Sequence, residues 1–447
     1  MQNEKFEKMT QEPVEKLILS LAVPTIMSML ITTIYNTADT YFAGKIGADS
    51  IAAVGIVYSF MSIIQAFGFL YGHGSGNFMS KVLGAQKIEE AENMAGLGVL
   101  FSMSTGIVIS ICTVIFSDNI ASVLGGNEVI KPQIIEYLRM LSLGIPFIMC
   151  GLTLNNQFRF QGNALYGMIG ITTGGILNII LDPVFMFLFN MGIKGAGAAT
   201  SVSQIISFLF LLYLNKRCGN VKLKVTNLKY SSKIIKLLYL GGTPNFARQT
   251  IAALSVLLLN IAAINYCQTA IAAFTVVNRV TMFLGAAMIG FGQGFQPVCG
   301  YNYGAGLFKR VKKAFYFCIC VSSIFFLILT IVCAAMSENI LALFTTDKDV
   351  IELGALILRY QCISIPFMGW IIMSGMFLQN IGQFKNATIV SAARQGILFI
   401  PLILIIPHFW GIYGVMLVQP ISDLGTFIIS VPMVIKQIRS MNSEIKV

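Results

Sequence analysis

A chain of 447 residues with 56% hydrophobic and 11% charged side chains, and a mean hydropathy of +0.78, is no ordinary water-soluble fold, since soluble domains carry about a quarter charged residues. The net charge of +11 does not point to nucleic acid, because Lys and Arg sit in short segments between apolar runs, where they set orientation in a membrane. Nine Cys show no CxxC pair and no paired spacing; several (Cys112, Cys150, Cys318, Cys320 and Cys333) lie inside apolar runs and read as packing residues, and two His argue against zinc chemistry.

From Met1 to Lys16 the chain is polar and mixed in charge. The apolar stretch that follows is too long for a cleaved signal sequence, so the first span is expected to be retained. Runs of about 20 apolar residues, enough to cross ~30 Å of hydrocarbon, predict twelve helical spans. They fall at 16–42, 50–71, 93–116, 133–154, 165–189, 195–214, 235–263, 269–293, 314–336, 351–376, 387–407 and 411–435. The second six echo the first at an offset of 220 positions: Ser50–Tyr58 returns as Ala270–Asn278, Gly74 as Gly294, Gly84-Ala85 as Gly304-Ala305, Arg139 as Arg359, and Pro146-Phe147 as Pro366-Phe367. An offset held that long denotes two tandem copies of one unit. The expected class is an all-α integral membrane protein, with twelve transmembrane helices in two pseudo-symmetric six-helix bundles. Its halves are an N-lobe at 1–215 and a C-lobe at 235–447, joined by a basic linker at 216–234. Such halves suit a transporter that rocks one against the other around a site between them.

Loops after even-numbered spans and the two tails carry 21 Lys and Arg, Lys81 and Arg159 among them, against four after odd-numbered spans (Lys45, Lys131, Lys194 and Lys348). By the positive-inside rule both termini face the cytoplasm, and the halves have parallel topology. Gly72, Gly74, Gly76 and Gly84, echoed by Gly290, Gly292, Gly294, Gly300, Gly304 and Gly306, end the second and eighth spans and permit close helix approach. No Lys-Ser/Thr follows them at phosphate-loop spacing.

An ionisable side chain within hydrocarbon costs at least ~2.5–3.5 kcal/mol, so each one needs a reason. Of 19 Asp and Glu, only Asp39, Asp182 and Asp423 fall clearly within spans. Asn178 and Asp182 are four apart, hence on one helix face, and Pro183 frees the carbonyl of Ile179. An amide, a carboxylate and a freed carbonyl suit a hard cation or a proton. Asp39 and Asp182 lie at similar depth in the outer half, and Thr200, early in the sixth span, reaches that level. The second half offers Arg248, Gln249, Asn278, Arg279, Gln361, Arg394, Gln395 and Gln419, with Asp423 as its single acid; a structural Asp423–Arg394 pair is expected, and ion coupling is expected in the N-terminal half. Arg139 and Arg359 read as outer-end residues that snorkel to the interface.

Twelve spans in two halves, Asp39-Thr40 before Gly44-Lys45-Ile46-Gly47, and the run Asn178 to Pro183 together resemble the MATE family of multidrug and toxic compound extrusion transporters, its bacterial MepA-like branch most closely. The resemblance covers the chain from Glu12 to Gln437. It implies an inner-membrane antiporter, not an enzyme, that needs no cofactor and expels amphipathic, often cationic drugs or xenobiotics in exchange for inward Na+ or H+. By motif match, Asp39, Asn178, Asp182 and Thr200 take the cation-coupling positions and would ligate Na+ if sodium is the coupling ion. Tyr35, Tyr137 and Asn155 match positions that face the drug cavity. Acidic residues that some members carry in the seventh and tenth spans have no counterpart here. The resemblance further implies a multi-pass protein of the bacterial cytoplasmic membrane, monomeric, with the lipid bilayer and small molecules as partners and no nucleic acid. Two rival readings remain. A flippase of lipid-linked precursors or polysaccharide would need a strongly cationic central cavity, whereas Arg139, Arg248, Arg279, Arg359 and Arg394 read as scattered. An intramembrane enzyme acting on isoprenoids or phospholipids would need clustered acids or His, and none is present.

Overall fold

The computed structural model describes residues 2–224, 228–264 and 268–444. Its N-terminal half comprises α1 (Gln2–Gln11), α2 (Val14–Ile46), α3 (Ala48–Gly84), α4 (Ile88–Ile115), α5 (Ser117–Val123), α6 (Lys131–Ser142), α7 (Ile145–Phe160), α8 (Ala164–Pro183) and α9 (Ile193–Cys218). The C-terminal half comprises α10 (Ser232–Ile264), α11 (Gln268–Gly304), α12 (Phe308–Ala335), α13 (Ser337–Ala342), α14 (Lys348–Gln361), α15 (Ile365–Asn380), α16 (Phe384–Ala392) and α17 (Phe399–Glu444). Among the described residues there is no strand. Eight helices are long and apolar enough to cross a bilayer alone, and two bent pairs raise that to ten. Gly411 breaks the longest of them, and the 33-residue α10 completes twelve.

The fourth and tenth spans are not single straight helices. Each is a bent pair, α6 with α7 at 56° and α14 with α15 at 55°. The cause is matched: Pro146 and Pro366 stand in the first turn of α7 and α15, and a residue without an N–H cannot extend the ladder from the preceding helix. Pro183 acts differently. The fifth span continues through it into a π turn at Val184–Leu188, while in the second half the π turn lies lower, at Ala393–Ile397.

The backbone carries the repeat as clearly as the side chains do. Left-handed residues recur at Gln86 and Gly306, and at Gly162 and Gly382, each pair 220 apart; Gly192 (φ 57, ψ −136) and Gly411 (φ 56, ψ −137) turn the chain between the last two spans of each half. The two bundles meet along α2 and α3 on one side and α10 and α11 on the other. A Cβ at Gly74 would collide with the Leu238 carbonyl, and one at the equivalent Gly294 would stand 2.6 Å from Ala22 Cα. Glycine at both places lets the backbones of opposite lobes touch. These contacts lie toward the end that carries both termini, where Asn302 Nδ2 donates to the Met9 carbonyl at 3.0 Å and Arg310 Nη2 to the Glu12 carbonyl at 2.6 Å.

Candidate cation site and the seam between the lobes

Helix α8 is thinned by Gly170, Gly174 and Gly175, so its neighbours come close. The Tyr35 ring of α2 lies against Gly175, where an added Cβ would sit 3.2 Å from it. One turn beyond Tyr35 is Asp39, and two turns beyond Gly175 is Asp182. Their carboxyl groups are neighbours, within reach of a shared proton. Asp182 and Asn178 are fully buried, and Thr200 of α9 is 3% exposed. Asn178 Nδ2 is 3.4 Å from both Asp182 Oδ1 and Thr200 Oγ1, and the Thr200 hydroxyl donates to the Ala196 carbonyl at 3.0 Å.

Three oxygens in this cluster have no donor: Asp39 Oδ1, Asn178 Oδ1 and Asp182 Oδ2 are all buried and unpartnered. Buried acceptors are almost always satisfied, and two adjacent carboxylates, one fully buried and the other partly so, favour positive charge between them. A proton shared by the acids or a small hard cation supplies it. Oxygen-only ligation with a hydroxyl at the edge suits Na+.

The structure thus brings Asp39, Asn178, Asp182 and Thr200 together from three helices. Tyr137 of α6 joins them, buried, its hydroxyl facing Thr200 and Asp39, and Tyr35 is buried beside Asp39. Asn155 stands apart. It touches Gly167 near the start of α8, 15 residues and so ~22 Å along the helix from Asp182.

Positions 220 further on are Leu259, Leu398 and Leu402 in place of Asp39, Asn178 and Asp182, so the second lobe has no such cluster. Its own buried acid is spoken for. Asp423 Oδ1 accepts from Arg394 Nε and Gln419 Nε2, both at 2.8 Å, and Oδ2 from the Ser364 hydroxyl at 3.0 Å. The expected Asp423–Arg394 pair is present, and Arg359 bonds Glu338 and Ser337 at the outer end.

Arg159 is the main correction to the sequence reading. It is not a loop residue: it lies in the last turn of α7, 2% exposed, against His73 of α3. Counting charge by loops hid it, because the fourth span runs six residues further than its apolar run suggests. The polar seam was missed as well. Asn77 Nδ2 reaches across to the Gln379 carbonyl (3.1 Å) and Asn380 Oδ1 (2.9 Å), and the Thr25 hydroxyl donates to the Gly290 carbonyl (2.6 Å). Amides at span ends near glycine runs were the available signal.

Two repeated six-span bundles, one of them enclosing a buried acidic cluster, are the architecture of a membrane transporter. A family model described as MatE matches residues 24–184 and 244–405, two blocks that start 220 positions apart. The chain belongs to the MatE family. It is 29% identical to the multidrug export protein MepA of Staphylococcus aureus (strain MSSA476), over 93% of this chain and 92% of that protein. Identity to the MepA of Staphylococcus haemolyticus (strain JCSC1435) is 26% over the same shares. A solved structure described as the outward-facing conformation of a multidrug resistance MATE family transporter of the MOP superfamily superposes with a TM-score of 0.91 at 24% identity, covering 97% of this chain and 98% of that one.

Proposed function

We propose that this MATE family transporter is a secondary active multidrug efflux antiporter, exporting amphipathic, often cationic drugs in exchange for inward Na+ or H+ by alternating access. The observation that carries the coupling site is the set of three buried, donorless oxygens on Asp39, Asn178 and Asp182. Asp39, Asn178, Asp182 and Thr200 hold the cation. Tyr35 and Tyr137 stand between that site and the drug path, and Asn155 faces the path nearer the termini end. The printed names of the staphylococcal relatives support drug export.

The protein sits as a monomer in a bacterial cytoplasmic membrane with both termini inside, following the loop charges. The lobes at 1–215 and 235–447 move as bodies about the basic linker 216–234. In that orientation the seam at the termini end is the cytoplasmic gate, closed here, and the cleft opens outward. A cation entering from outside compensates both acids, draws α2 and α8 together around Tyr35 and Gly175, and displaces cargo.

The test is ethidium transport in proteoliposomes with pH and Na+ gradients imposed separately. One gradient is expected to drive transport, and Asp39→Asn and Asp182→Asn should each reduce it to the level of empty vesicles. Undiminished transport by both variants would remove the coupling role assigned to the acids.

A further inference from the structure

The fourth span ends in a guanidinium without a counter-charge. Arg159 Nη2 donates to Asn156 Oδ1 at 2.7 Å and to His73 Nε2 at 3.1 Å. Its Nε and Nη1 are buried with no acceptor. His73 brings no negative charge: Nδ1 lies 3.2 Å from the Phe69 carbonyl, to which it can only donate, and Nε2 meets an arginine N–H, from which it can only accept, an arrangement that the neutral ring with its proton on Nδ1 satisfies. Among the described residues no carboxylate pairs with Arg159, and Asp423, the buried acid of the other lobe, is held by Arg394.

A second guanidinium lies on the other side of the seam. Arg248 of α10 is close enough to repel Arg159 electrostatically, and its own Nη2 rests on Asn245 Oδ1 at 3.3 Å. Two arginines from opposite lobes, one of them wholly enclosed, thus lie within electrostatic reach of each other, and among the described residues neither is paired with a carboxylate. The negative end of the α7 dipole, two neutral acceptors and the Phe160 ring, whose centroid is 4.9 Å from the guanidinium carbon, offset part of the charge, yet a structural role needs no charge at this place. The repeat supplies the comparison: 220 positions on, Gln379 occupies the equivalent site and knits its helices with neutral bonds to the Gly241 carbonyl and Asn245.

We propose that Arg159, with His73 and Arg248, forms an anion-binding station at the termini end of the cleft, which takes the carboxylate or phosphate group of an amphiphilic cargo when the lobes part at that end. The proposal rests on the alternating-access reading. Parting α3 from α10 uncovers Nε and Nη1 of Arg159, which lie on different edges of the guanidinium and each offer a charge-assisted N–H to an anion's oxygen. With the seam closed, Arg159 keeps the partners of its own lobe, His73, Asn156 and the Phe160 ring, and the anion is excluded. Release is thereby tied to the outward-open state. Cargo then includes zwitterions, with cationic parts drawn toward the acids and anionic parts toward the arginines.

The test uses rhodamine 110 and rhodamine 123, one tricyclic cation carrying either a free carboxylate or its methyl ester. The measured quantity is the ratio of their KM values in proteoliposomes and, independently of transport, of their Kd values for purified protein by fluorescence anisotropy. Arg159→Gln is expected to weaken rhodamine 110 relative to rhodamine 123 about tenfold, Arg248→Gln about threefold, and Arg159→Lys least. Transbilayer movement of a fluorescent phosphatidic acid is the second arm. Loss there in Arg159→Gln, with the dye ratio intact, assigns the station to a lipid phosphate; loss of the dye ratio assigns it to a soluble carboxylate. Both readouts unmoved by Arg159→Gln, or both dyes weakened equally by Arg159→Gln and Arg159→Lys, would overturn the station. Failure of the export reading looks different, because wild-type protein would then carry neither dye while the anisotropy ratio still decides the station.

Discussion

At the scale of single residues, the acids of the two lobes differ in how far they are satisfied. Asp423 has three donors, one of them a guanidinium; Asp39 and Asp182 have orphaned oxygens. Removing Asp423 leaves Arg394 with an unmatched charge, and because a quarter of that side chain is exposed, the loss belongs at the low end for a broken buried pair. Asp423→Asn should therefore cost about 3 kcal/mol, read as a lowered midpoint of thermal unfolding in detergent, with the cation dependence of transport retained. Asn178→Ala should do the reverse. It deletes one cation-facing oxygen, worth about 1.5 kcal/mol, hence a roughly tenfold rise in the half-saturating concentration of the coupling ion, with little change in unfolding midpoint. The acids were legible in the sequence because charge inside an apolar run stands out, and Asn178–Asp182 spacing fixed a common helix face. Arg159 was not, since a charge beside the end of an apolar run looks like a loop charge until the helix is seen to continue.

At the scale of elements, run length predicted the spans but not their shape. The matched bends trace to Pro146 and Pro366, which the repeat had already aligned, yet hydropathy counts residues and is blind to a missing N–H. Helix α1 is another element that apolar counting passed over, being polar and short. It straddles the lobes, with Lys5 Nζ on Asn163 Oδ1 at 2.8 Å on one side and the Met9 carbonyl on Asn302 on the other. Burial, with Lys8 nearby, pushes the Lys5 ammonium down from 10.5 to about 8. A free lysine keeps its proton to 10.5 while the docked one releases it near 8, so the docking penalty stands in full below about pH 8 and fades between those values. Cleavage in the α1–α2 segment by limited proteolysis, normalised at each pH to a peptide substrate, should slow from pH 7.5 to pH 9.5. A flat profile would show that Lys5 does not govern docking. Replacing Gly74 by Leu acts on a different contact, since its side chain would meet the Leu238 carbonyl and force α3 off α10.

At the scale of the whole molecule, the conformation is set by a seam closed at one end. Inter-lobe bonds from Thr25, Asn77, Asn302 and Arg310, with the Lys313–Glu15 ion pair, gather at the termini end. The repeat offset announced two bodies, but no pattern in a sequence says which end of a cleft is shut, because that is a balance between two packings of the same surfaces. Asn77 offers a direct handle on this balance. It donates twice across the seam and lies in no ion or cargo site, so Asn77→Ala removes about 1–2 kcal/mol of closure without touching either. A shift of that size raises the termini-open population about tenfold. Spin labels at the exposed Lys87 and Lys309, one on each lobe beside the seam, report the change as a new, longer distance in pulsed dipolar spectra. Excess coupling ion, whether that is Na+ or H+, should move the same distribution in wild-type protein. If Asn77→Ala leaves the distribution unaltered, the amide bonds are incidental to closure, and the glycine-lined backbone contacts alone hold the gate.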